Sequence, residues 1–200
     1  MIKIIKEVQL RASDPKYIEL DRKVFEPTRT WIIDENYVIH NHILLKNYTR
    51  PLSEVTMHDY QVYKKIKLAN FVSTLLETFQ KFESHTTQWT DSISTNGGIN
   101  GLNRINSVLT VSNQELMTVS GLCSNKKVAK PMMALLVIKR VFPFLYYLNL
   151  EEIAEMIVKG AGSTTLSVSR NSMNNSSSEE QPNLGNYGQG GILNGQLHNI

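Results

Sequence analysis

Hydrophobic and polar positions fall into several regimes along the chain. In the first dozen residues, I-K-I-I-K-E-V-Q-L-R, apolar residues alternate imperfectly and are mostly β-branched, which predicts a strand ended by Asp14-Pro15. Extended segments are expected at 29–33 and 37–45, with Asp34-Glu35-Asn36 as a hairpin turn between them, so that a small antiparallel sheet results. After Pro51, Ser53 with Glu54 and Thr56 with Asp59 offer helix-start chemistry. The stripe Tyr60, Tyr63, Ile66, Leu68, Phe71, Leu75, Leu76 and Phe79 then keeps helical spacing, predicting one long helix to Phe82 that serves as a spine or a dimerisation helix.

Residues 84–101 are polar, rich in hydroxyls and carry three glycines, which reads as a linker. Gly97-Gly98 is not followed by lysine and Ser/Thr at phosphate-loop spacing, so no nucleotide site is expected there. The pattern then turns helical. Leu102, Ile105, Val108 and Leu109 share one face, Thr110 to Asn113 interrupts, and Gln114 to Val119 gives another short helix ending at Gly121. A basic loop, Cys123 to Lys130, leads to Pro131 at the start of a long apolar helix from Met132 to Tyr147, which Pro143 should kink or end near Val141. Leu150, Ile153, Ala154 and Ile157 then mark a helix that Gly160 and Gly162 should break, and Ser163 can cap a second short helix through Arg170. Helix, glycine turn and a helix tipped with Ser and Thr predict a helix-turn-helix. The fold class expected is α+β: an N-terminal α+β domain over 1–83, a linker over 84–101, a helical helix-turn-helix domain over 102–171 and a low-complexity tail over 172–200.

Charge sharpens this division. The net charge of +3 is uneven: residues 1–96 balance to +1, residues 97–171 to +4, and the tail holds only Glu179 and Glu180. The cationic excess therefore lies on the segment with the expected helix-turn-helix, where phosphate contacts would need it. The single Cys123 forbids an internal disulfide and fits a reducing compartment. With no apolar run of membrane-spanning length, a cytoplasmic setting and no membrane partner are expected. His40 and His42 alternate along one expected strand without an acidic or cysteine partner at ligand spacing, so neither metal nor cofactor is expected. The His, Asp, Glu and Ser residues form no recognised catalytic spacing either, which argues against an enzyme.

Laid out in this way, Ile105 to Arg170 resembles the C-terminal DNA-binding domain of the bacterial replication initiator DnaA over about a third of the chain. The counterparts here are V-S-N-Q-E-L, then S-N-K-K-V-A-K-P-M-M-A-L-L-V-I, then L-N-L-E-E-I-A-E-M-I-V-K-G-A-G-S-T-T-L-S-V-S. Thr164 and Thr165 match that family's pattern. Met132 replaces its minor-groove arginine, and Gly162 and Ser163 replace the aspartate and histidine that help to read bases, so the resemblance implies an altered or weak sequence preference.

The function expected is thus a non-enzymatic double-stranded DNA-binding protein of bacterial or phage type. Phosphates would be held by Lys126, Lys127, Lys130, Lys159 and Arg170, and the groove by Ser163, Thr164, Thr165 and Ser167. The alternative is a structural or assembly protein, in a homo-oligomer or a virion, whose helices and tail bind protein. The tail, rich in Asn, Ser, Gly and Gln, is expected to be disordered in isolation.

Overall fold

The computed structural model describes residues 1–83, 86–99 and 101–166. Its sheet and the helices on it form a mixed α/β structure. The chain begins with α1 (Ile2–Arg11), where a strand was expected. Ile5 and Val8, three residues apart, are the positions it buries, so the helical period outweighs the β-branched composition. Arg11 Nη1 donates to the carbonyls of Tyr147 (2.9 Å) and Leu148 (3.0 Å), pinning this helix to a distant one. Helix α2 (Pro15–Val24) starts where Asp14-Pro15 marks a boundary: the Asp14 carboxylate accepts from the Lys16 amide at 2.8 Å, and proline takes the first turn.

The expected hairpin is instead a single strand, β1 (Trp31–Ile39), whose register with its neighbour shifts between Ile33 and Tyr37. Asp34-Glu35-Asn36 thus falls at a bulge rather than a reversal. His42 starts α3 (His42–Tyr48), so the two histidines do not share a strand. His40 Nε2 lies 2.7 Å from Thr118 Oγ1. The long helix is divided into α4 (Met57–Tyr63) and α5 (Phe71–Glu83). Thr56 and Asp59 form the capping box of α4, and the Asn70 side chain accepts from the Val72 amide at 2.9 Å to start α5. The asparagine and the basic stretch before it break a stripe that apolar spacing alone makes continuous.

Residues 87–99 are not a linker. They form strand β2 (Thr87–Ile99), and the segments expected as short helices form β3 (Leu102–Val111) and β4 (Gln114–Cys123). Ser112 and Asn113, both at positive φ (48° and 62°), make the two-residue turn between β3 and β4. The V-S-N-Q-E-L element of the replication-initiator resemblance therefore lies at a β-hairpin, not between helices. The sheet is antiparallel with order β1-β4-β3-β2. Gly121 lets β1 and β4 approach, since a Cβ there would stand 2.9 Å from the Ile32 carbonyl oxygen.

Helix α6 (Lys126–Val141) begins at Lys126, five residues before the proline expected to open it, and Pro131 lies within it. It buries nine residues, from Ala129 to Val141, against β4, β1 and β3, and it also packs on α5. It ends at Val141 as the proline rule predicts, and Pro143 opens α7 (Pro143–Leu148). Helix α8 (Leu150–Leu166) starts where its apolar period does but continues across Gly160 and Gly162 instead of turning. It packs chiefly on α2. The second helix expected after Ser163 extended to Arg170, and residues 167–170, like the whole tail, lie outside the described residues.

One hydrophobic core joins these elements. Ile5, Val24, Trp31, Leu75, Phe79, Trp89, Leu109, Met133, Leu135, Phe142 and Ile153 all belong to a single buried cluster, so the boundary expected at 84–101 does not divide the interior. No helix among the described residues is long and apolar enough to cross a membrane.

Candidate nucleic-acid interface

Three cations of the C-terminal half, Lys126, Lys127 and Lys130, lie on the first turns of α6, and the local chemistry shows how. Asn125 adopts an extended backbone and its side chain accepts from the Lys127 amide at 2.9 Å, which starts the helix. Just before it, the Ser124 amide donates to the Thr30 carbonyl at 2.8 Å and ties the end of β4 to the approach to β1. From Met132 to Ile138 the helix is apolar and seated on the sheet, so its first residues project from a fixed base.

Lys126 and Lys130 stand one helical turn apart on the same side. Their Nζ atoms lie 3.3 and 3.0 Å from one oxygen, Oδ2 of Asp91. The Asp91 side chain is only 5% exposed, whereas those of Lys126 and Lys130 are 42% and 33% exposed. The other carboxylate oxygen accepts a hydrogen bond from Ser107 Oγ at 3.1 Å, and Met133 Sδ lies 3.7 Å from that hydroxyl. Asp91 and Ser107 are register partners on β2 and β3, on the face that α6 covers. Lys127 is exposed and makes no ion pair among the described residues.

The placement of charge is unfavourable for the helix itself. The N-terminus of a helix carries the positive end of its dipole, and cations are better tolerated at the other end. Here the first turn holds no acidic residue and three lysines lie within its first five positions. The single compensating carboxylate comes from the neighbouring strand, so two ammoniums share one anion and Lys127 is added beside them. The result is a compact, partly exposed cationic surface on a rigid base.

The other expected site residues lie elsewhere. Lys159, on α8, pairs with Glu155 at 3.0 Å along an exposed face. Ser163, Thr164 and Thr165 fall in the last turn of α8, with Ser167 and Arg170 after it, and the surroundings of those five side chains lie outside the described residues. Asp91, Ser107 and Asn125 were not anticipated. The signal for the first two was present as a period of two, in Trp89 and Asp91 and in Ile105, Ser107, Leu109 and Val111, which puts a carboxylate and a hydroxyl among inward positions. Among the described residues no group of three His, Cys, Asp or Glu side chains is placed to hold a metal ion, and Cys123 is buried.

Comparison with known proteins finds no match: no family model, no curated protein and no solved structure is similar to this chain.

Proposed function

We propose that this chain binds double-stranded nucleic acid through its sugar-phosphate backbone, with RNA preferred to DNA, using Lys126, Lys127 and Lys130 on the first turns of α6. The observation that carries the reading is the gathering of those lysines at the positive end of a helix whose remainder is fixed on the sheet. Such an arrangement lowers helix stability and raises attraction for a polyanion. Lysine is a point charge without the flat, paired donors that read a base edge, so binding is by backbone and shape rather than by sequence.

The preference for RNA rests on the mode of contact. Modules that grip double-stranded RNA read its shape and phosphates across two minor grooves rather than base edges, whereas the major groove of DNA is read by paired donors that lysines lack. Lysines at the end of a helix seated on the sheet suit the first mode. DNA recognition through Ser163, Thr164, Thr165, Ser167 and Arg170 draws no comparable support from the described residues.

The test is a fluorescence-anisotropy titration with RNA and DNA duplexes of the same sequence, about 20 base pairs long so as to exceed the roughly 16 such a module covers. Each titration is run at two salt concentrations. RNA is expected to bind the more tightly, with affinity falling as salt rises and little change when the sequence is scrambled. Absence of binding to both duplexes at low salt overturns the proposal, and a DNA preference overturns its second half.

A further inference from the structure

We propose that Asp91 is a positioning residue for the phosphate contacts, locking Lys126 and Lys130 into a preformed two-ammonium clamp for one phosphodiester. The inference rests on the duplex-binding reading above. Because both Nζ atoms bond to the same oxygen, they can be no farther apart than the sum of 3.0 and 3.3 Å, about 6.3 Å. Two ammoniums at that separation can both reach the non-bridging oxygens of a single phosphate at ordinary charge-assisted distances. Each ammonium has three donors, and the bond to Asp91 uses one, leaving two on each lysine for a ligand.

The carboxylate is itself held. Ser107 Oγ donates to its other oxygen at 3.1 Å, and its side chain is 5% exposed. A carboxylate so buried cannot shed its cations without a large penalty, so the lysines stay on Asp91 when a phosphate arrives instead of exchanging one anion for the other. Long, flexible side chains normally lose rotamer freedom on binding. In Lys126 and Lys130 that freedom has already been lost on folding.

A positioning role and simple electrostatics make opposite predictions for Asp91→Asn. The variant raises the local charge by one, so bulk attraction alone would tighten duplex binding and steepen its salt dependence. If Asp91 aligns the lysines, the variant binds duplex RNA about tenfold more weakly at about 0.1 M salt, and the slope of log affinity against log salt becomes shallower by about one, the amount expected for one lost phosphate contact. Asparagine keeps the volume and an oxygen for Ser107, and circular dichroism verifies that the fold is retained.

A second measurement needs no nucleic acid. Brief labelling with an amine-reactive ester, read by peptide mass spectrometry, should modify Lys127 several-fold faster than Lys126 and Lys130 in the unaltered chain, and Asp91→Asn should narrow that gap. If the unaltered chain fails to bind duplex RNA at low salt, both the functional reading and this inference fall. If it binds and Asp91→Asn binds as tightly or more tightly, or if the three lysines label at equal rates in the unaltered chain, the positioning role alone is overturned.

Discussion

Replacing Lys126, Lys127 and Lys130 together by glutamine is expected to weaken duplex RNA binding by two to three orders of magnitude at about 0.1 M salt and to make the salt slope shallower by about three. Each backbone contact contributes a slope of roughly 0.9, and at that salt each is worth close to tenfold in affinity. The substitution leaves Asp91, 5% exposed, without its two cations, so a lower melting temperature accompanies the loss. Binding is therefore measured at a temperature where circular dichroism shows the variant folded. Glutamine removes the charge and keeps a polar, unbranched side chain that is one bond shorter. A loss of tenfold or less would mean that the phosphates are held elsewhere. Lys159, already paired with Glu155 on α8, serves as the control, and its replacement should change affinity little.

The largest expected stability loss is at Phe142. This residue is fully buried and occupies the junction of α6 and α7, where its amide donates to the Ile138 carbonyl at 2.8 Å. Its ring lies 5.0 Å from that of Phe79 and 6.0 Å from that of Phe82, both on α5. Truncation removes the aromatic contacts and leaves a cavity that the following proline restrains from collapsing, so Phe142→Ala should cost about 3–5 kcal/mol. For a chain of this size that corresponds to a fall in Tm of about 6–20 °C. Because the core is continuous from Ile5 to Ile153, secondary structure and tryptophan fluorescence should be lost in one transition. Trp31 lies in the segment read from composition as one domain and Trp89 in the stretch 84–101 read as a linker, and separate transitions would restore that division.

Local chemistry was legible where it acts locally. Thr56 and Asp59 announced a capping box, Pro143 ended a helix at Val141, and the apolar period from Leu150 marked the start of α8. The clustering of Lys126, Lys127 and Lys130 is visible too, though the sequence places them in a loop before Pro131 and the structure in the helix that contains it. What failed was long-range pairing. Leu102, Ile105, Val108 and Leu109 satisfy a helical spacing, while Ile105, Leu109 and Val111 also satisfy a strand whose inward row is interrupted by Ser107. The choice is made by β2 and β4 on either side, which no window around residue 105 contains. The same interruption hid the candidate site, because a carboxylate and a hydroxyl at inward positions make a strand look like a polar linker until two lysines from the following helix are set against them.

The most direct measurement is an NMR titration of the chain with duplex RNA, following backbone amides and lysine side chains. The account predicts that the earliest and largest shifts appear at Asn125, Lys126, Lys127 and Lys130, with Asp91 and Ser107 responding through the ion pairs. Shifts concentrated on α8 with α6 silent would contradict it, and would place any nucleic-acid contact away from the lysine-led helix.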